Sequence, residues 1–298
     1  MSSPALRAVI SLVTELGRYT VKHKDGRFKG YKGLKLYYQY WLPDKKPKAV
    51  ILVAHGLAEH SGRYKNVVDY FVPKGYAVYA LDHRGHGKSE GQRSYVDNFN
   101  DYLTDLKTFF DKVRNENKGA RIFLFGHSLG ATIAVAYAVE HQDELSGLIV
   151  SGASLVPPSG VSPMLLAMAG ILSSLVPKMG VTVLDASTIS RDQSVVDAYV
   201  NDPLVFRGKV PARTGAELAR MWRQLPDRVS KIKLPILIMH GEADQLSDPR
   251  GSKLLYERVG SKDKTLKIYN SCYHEICNEP ERKQVCSDME KWLTRHIK

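Results

Sequence analysis

The chain has 298 residues, 43% of them hydrophobic and 25% charged, the balance of a soluble globular protein long enough to bury a sizeable core. Its formal net charge is +12, but the basic residues are spread along the chain, so the charge reads as a solvated surface and no motif supports a nucleic-acid partner. Cys272, Cys277 and Cys286 are odd in number and lack paired CxxC spacing, which excludes a disulfide framework and a zinc site and fits a reducing, cytoplasmic compartment.

The chain opens on an amphipathic arm, 1–20, in which Leu6, Val9, Ile10, Val13 and Leu16 recur at helical spacing. Arg7 and Glu15 interrupt it, which argues against a signal peptide and for a docking arm on the protein's own surface or a partner. No segment approaches the roughly 18 consecutive apolar residues of a membrane span.

Residues 34–42 are β-rich and partly alternating, and predict an antiparallel edge strand. The runs 49–54, 76–81, 122–125, 148–150 and 236–239 are almost continuously apolar, the texture of strands buried on both faces. Helical patterns such as 102–113 and 129–140 lie between them. This alternation predicts an α/β fold with a mostly parallel central sheet flanked by helices. It stops after Gly152 and resumes only near Leu234. The expected organisation is therefore a core of 21–152 and 229–298, with a helical cap, 153–228, inserted after the sixth strand. Within the cap, 164–176 is apolar nearly all round, so it is either buried or faces a greasy ligand or a membrane.

Gly126-His127-Ser128-Leu129-Gly130 follows one buried strand and opens a helix. Small residues flank Ser128 because a sharp strand-to-helix turn must hold it exposed and strained. A serine hydroxyl needs a base within hydrogen-bond reach, and at such turns the chain order is serine, acid, histidine. Of the later histidines, His141 ends the nucleophile helix, His240 precedes the acid and His296 is near the C-terminus. His274, in the loop after the strand 265–269, remains. Asp244 lies in a turn just past the carboxyl end of 236–239, where sites in open α/β sheets gather. Asp248 precedes Pro249 and suits a helix cap better. The expected oxyanion donors are the backbone N–H groups of Leu129 and of Leu57 in His55-Gly56-Leu57-Ala58-Glu59-His60. His83 and His86 read as part of a glycine-rich turn rather than metal ligands, and HExxH and GxxxxGK[ST] are absent.

His55-Gly-Leu-Ala-Glu-His-Ser-Gly-Arg-Tyr64, Asp82–Ser89, the serine turn, Val196-Asp-Ala-Tyr-Val-Asn-Asp-Pro-Leu204 and Gly241-Glu-Ala-Asp244 together resemble the monoglyceride lipases. These form a lysophospholipase-like branch of the α/β-hydrolases, and the resemblance runs from about residue 30 to the C-terminus. It implies the α/β-hydrolase fold, hydrolysis of monoacylglycerols through an acyl-enzyme on Ser128, and no cofactor. It also implies a polar pocket for glycerol at Glu59, Arg63, His127 and Tyr199. Glu59 and Arg63, four apart, equally suit a structural ion pair, and Tyr199 equally suits cap packing. Leu57 is larger than the residue some relatives carry, and the arm lies outside the resemblance. The expected partner is a small lipid, with the cap's apolar segment offering a face for peripheral membrane contact. Lysophospholipase, general carboxylesterase or thioesterase activity is the neighbouring reading, and a non-catalytic ligand-binding member of the fold the distant one.

Overall fold

The computed structural model describes residues 21–158 and 163–297, so the expected N-terminal arm lies outside the described residues. Strands β1 (Lys22–Lys29), β2 (Lys35–Leu42) and β3 (Val50–Ala54) lead to α1 (Lys65–Phe71), β4 (Ala77–Leu81) and α2 (Asn100–Glu116). Next come β5 (Ile122–His127), α3 (Leu129–His141) and β6 (Gly147–Ser151). The segment that follows contains α4 (Pro163–Leu175), β7 (Gly180–Thr182), α5 (Gln193–Asn201), β8 (Val210–Pro211) and α6 (Ala212–Gln224). The chain closes with β9 (Ile236–Gly241), α7 (Pro249–Arg258), β10 (Lys264–Tyr269) and α8 (Arg282–His296).

Eight strands form one sheet in the order β1-β2-β4-β3-β5-β6-β9-β10. The pairings of β2 with β1 and with β4 are antiparallel and the other five are parallel, so β2 alone runs against the rest. The continuous apolar runs are explained by burial on both faces. Val50 and Leu52 of β3 point towards Leu106 and Phe109 of α2 and Ile133 of α3. Ile51 and Val53 point the other way, towards Val68 and Phe71 of α1 and Trp292 of α8. Successive side chains in a strand alternate between faces, so a strand covered twice must be apolar at every position.

Two expectations need correction. The strand at 34–42 is not the edge: β1 covers it, pairing from Lys22↔Leu42 to Lys29↔Lys35. Six of the eight residues in β1 are Lys, Arg, Asp or His, the charged texture that keeps an edge from pairing with another chain, and it hides the strand from an apolar search. The segment between β6 and β9 is also not purely helical, because β7 and β8 pair as a short antiparallel ribbon. Its α6 is tied to the core by two buried side chains. Thr214 Oγ1 accepts from Val96 N–H at 3.1 Å, and Glu217 Oε2 accepts from Phe99 N–H at 2.7 Å.

Candidate active site

Ser128 stands between the end of β5 and the first residue of α3, with φ 55° and ψ −117°. That conformation is costly for a side chain with a Cβ, of order 1–3 kcal/mol, and is held by its surroundings. Its N–H donates to Ser151 O at 2.9 Å, and its carbonyl accepts from Ala131 and Thr132. The two glycines of the motif are required by close approach. A Cβ on Gly126 would stand 2.3 Å from Gly130 O, and one on Gly130 would stand 2.0 Å from Ala54 O. Leu129 opens α3, so its N–H has no acceptor within the helix and adds to the positive N-terminal end.

Asp244, past β9, is fully committed. Its Oδ2 lies 2.7 Å from His274 Nδ1 and 3.0 Å from His240 Nε2, and its Oδ1 accepts from the N–H groups of Leu246 and Ser247. Burial pushes this carboxyl's pKa up, but His274 and His240 outweigh it and hold the group well below the usual carboxylate range. An ionised carboxylate only accepts, so His274 carries its proton on Nδ1 and keeps Nε2 as the free basic nitrogen. For His274 burial lowers the pKa, and Asp244 more than reverses that, leaving it raised. The neighbouring His127 ring, 4.6 Å away, is pushed down to about 3 by burial and then by His274. Asp248 instead caps α7, accepting from Arg250 N–H at 2.9 Å with Pro249 as the first helical residue.

The loop after β3 is braced from both sides. His55 Nδ1 donates to Gly56 O at 2.7 Å, while its Nε2 accepts from His83 N–H at 2.9 Å. In a trans peptide the C=O and the next N–H point in opposite directions, so pinning Gly56 O turns Leu57 N–H away from His55. Glu59 Oε1 accepts from Gly56 N–H at 2.6 Å and from the Tyr64 hydroxyl at 2.9 Å. Ala58, at φ 69°, passes its carbonyl to Phe206 N–H of the inserted segment at 2.8 Å.

Ser128, His274, Leu57 and Leu129 all line one cavity of about 360 Å³. Its far walls are apolar and come from the inserted segment, among them Leu172, Val181, Ile189, Leu218 and Trp222. The size is that of a small-molecule site. Glu59, His127 and Tyr199 reach this cavity; Arg63 does not. Arg63 lies behind them on a smaller cavity of about 20 Å³. Its Nη2 donates to Glu275 Oε2 at 2.6 Å, its Nε is 3.8 Å from Glu59, and its guanidinium sits 4.5 Å from the centroid of the Tyr199 ring. The loop after β3 also meets the inserted segment through His60 Nε2, which lies 2.8 Å from Asp202 Oδ2.

Sequence reasoning missed His240 as the second partner of Asp244, and Glu275 as the partner of Arg63. Glu275 carried one signal, being an acid next to the histidine of the loop. His240 carried none beyond its place at a strand end. Among the described residues, one group has metal-ligand spacing: Cys272, Glu279 and Glu281. It already holds a cation, the Arg191 guanidinium.

A family model described as serine aminopeptidase, S33 matches residues 45–281. The chain is 40% identical over 270 residues to a monoacylglycerol lipase of Mycolicibacterium smegmatis, covering 91% of this chain and 96% of that protein. It is 34% identical to the monoglyceride lipase of Homo sapiens, covering 88% of each. The solved monoacylglycerol lipase of Paleococcus ferrophilus superposes with a TM-score of 0.79 at 30% identity, covering 88% of this chain and 99% of that one.

Proposed function

From a chain that belongs to the serine aminopeptidase, S33 family of α/β-hydrolases, we propose a monoacylglycerol lipase that releases a fatty acid and glycerol through an acyl-enzyme. The observation that carries it is His274, held by Asp244 at 2.7 Å, sharing with strained Ser128 the polar head of an otherwise apolar cavity. In this reading Ser128 Oγ attacks the ester carbonyl as His274 Nε2 takes its proton. The oxyanion forms against the N–H groups of Leu57 and Leu129, each worth on the order of 3 kcal/mol. His274 then protonates the departing glycerol oxygen, and a water activated by the same nitrogen cleaves the acyl-enzyme and restores Ser128. Asp244 holds the tautomer and stabilises the imidazolium.

Residues 21–152 and 229–298 are the core in this reading, and 153–228 the cap that supplies the acyl wall. Glu59, His127 and Tyr199 take the glycerol end, with Arg63 as the cation paired with Glu275 and near Glu59 behind them. No helix among the described residues is long and apolar enough to cross a membrane. The cap does expose Ile171 at 62%, Leu175 at 75%, Met179 at 43% and Val183 at 54%, a rim through which it would take lipid from a bilayer surface.

A peptidase reading is less well supported. Among the described residues the carboxylates on the cavity are Glu59 and Glu275, and both are bonded within the protein, Glu59 to Gly56 N–H and Tyr64 and Glu275 to Arg63 and Asn278. A panel of monoacylglycerols, lysophospholipids, triacylglycerols, p-nitrophenyl esters and aminoacyl amides, run on wild type and Ser128→Ala, tests the proposal. Preference for another ester class would move the assignment to general esterase or lysophospholipase. Absence of turnover on every ester and amide would remove the enzymatic reading.

A further inference from the structure

The loop that carries His274 is held from the cap side by a short stretch, Ile189 to Arg191, that belongs to neither the sheet nor the serine turn. Both backbone neighbours of His274 are tied to it. Glu275 N–H donates to Ile189 O at 2.8 Å. On the other side Tyr273 N–H donates to Glu279 Oε1 at 3.3 Å, and the same carboxylate accepts from Arg191 N–H at 2.8 Å and from Arg191 Nε at 2.7 Å. Glu279 is fully buried, so its two oxygens have no water to turn to. Arg191 Nη2 also pairs with Glu281, and lies 3.7 Å from Cys272 Sγ. Ile189, at the other end of the stretch, walls the apolar cavity.

We propose that Arg191 and Glu279 are positioning residues for the reaction, clamping the Tyr273–Glu275 backbone so that the segment walling the acyl cavity also sets the place of His274. This rests on the reading of His274 as the base. The physical argument is one of stiffness. Asp244 fixes the imidazole at Nδ1, but where the ring stands also depends on where its backbone is held. The backbone ties on either side hold it there, and a misplacement of about 1 Å at a reacting group can cost about 100-fold in rate. A latch that merely fastened the cap would act on substrate capture, whereas a clamp on the base acts on turnover.

The test uses Arg191→Met, Arg191→Lys and Glu279→Gln in the full chain, with kcat and KM measured on a short, soluble p-nitrophenyl ester. Calorimetry confirms that each variant is folded at the assay temperature. The expected result for Arg191→Met and Glu279→Gln is a kcat lowered about 10- to 100-fold with KM within about twofold. Arg191→Lys, which keeps the charge but loses the fork, should fall between these and wild type. Fluorophosphonate labelling of Ser128 should slow in parallel, because the base assists that attack too. Should Arg191→Met fail to fold, the other two variants decide. Wild-type kcat in folded variants, or a raised KM with kcat unchanged, overturns the proposal and leaves a cap latch. His274→Ala in the same assay keeps the two readings apart. Turnover retained there removes His274 as the base, whereas an inactive His274→Ala beside fully active Arg191 variants removes only the clamp.

Discussion

Asp244 Oδ2 approaches His274 Nδ1 to 2.7 Å within a carboxylate whose other contacts are already filled by His240 and two backbone amides. The pair sets a pH dependence whose sign can be worked out. Neutral His274 is the working base, and its pKa is raised above the ordinary 6.5, burial lowering it and Asp244 outweighing burial. We predict that kcat/KM on a soluble ester falls on the acid side with an apparent pKa above 6.5. A limb at or below that value would mean that the base is not coupled to Asp244.

The same shift makes a stability prediction. A group whose folded pKa is raised contributes stability below its unfolded value, and loses it as pH rises through the folded one. The Tm difference between wild type and His274→Gln should therefore be larger at mildly acid pH than at alkaline pH. Asp244 works oppositely, its contribution being present above 3.8 and lost as pH falls.

Asp244→Asn should lower kcat by about four orders of magnitude, since an amide can present the wrong tautomer to His274. Asp248→Asn should leave kcat near wild type, because that side chain caps α7 rather than reaching the base. Asp248→Ala should instead cost about 1 kcal/mol of stability, read as a lower Tm. If Asp248→Asn were the inactive variant, the acid would be misassigned.

Ser128→Ala should abolish fluorophosphonate labelling and reduce turnover below about a thousandth of wild type, the residue left by oxyanion donors and binding. Its Tm should change little, because alanine carries the same Cβ into the same φ of 55°. Turnover well above that floor would place the nucleophile elsewhere.

Leu172 and Val181 line the cavity, Val181 at an exposed edge, whereas Leu175 and Met179 are exposed on the same segment and do not line it. Leu172→Ser and Val181→Ser should depress hydrolysis of long-chain monoacylglycerol several-fold more than that of a short soluble ester. Leu175→Glu with Met179→Glu should weaken binding to lipid vesicles in a sedimentation assay while sparing the short ester. Equal losses on both esters in the first pair would make that wall core packing of the cap.

Tyr199 reaches the cavity and Arg63 does not, so the two should separate. Tyr199→Phe should lower activity on monoacylglycerol relative to an acyl methyl ester by several-fold, the worth of one hydrogen bond of about 1 kcal/mol. Arg63→Met should reduce both esters and the Tm together, since it strands Glu275 and Glu59 as unpaired buried charges. A selective loss for Arg63→Met would move it into direct contact with glycerol.

Legibility in the sequence followed the length scale of each interaction. Strands buried on both faces announce themselves locally, and so does the serine turn, whose glycines are forced by contacts within five residues and with Ala54. The contact of Asp244 with His274 was legible because sheet geometry confines such acids to strand ends. What escaped depends on distant partners: Arg63 with Glu275 is 212 residues apart, and Arg191 with Glu279 is 88. No local pattern distinguishes a buried carboxylate from an exposed one. The edge strand β1 escaped for the opposite reason, because its charges suit solvent and resemble a loop.

The inserted segment leaves the sheet from β6 and returns at β9, and these two strands are hydrogen-bonded neighbours, Leu148↔Ile236 to Ser151↔Met239. Because the two strands run parallel, the segment crosses from the carboxyl end of β6 back to the amino end of β9, about 10 Å along the strands and one strand spacing across. Length can be added or removed between those ends at a closure cost that grows only slowly with residue count. The register of the sheet stays the same, and with it the strand ends that carry Ser128 and Asp244, whereas the His274 loop also leans on Ile189 and Arg191 of the segment. The chamber above the sheet can thus change its length without shifting the strands beneath it, provided the stretch that holds the His274 loop is kept.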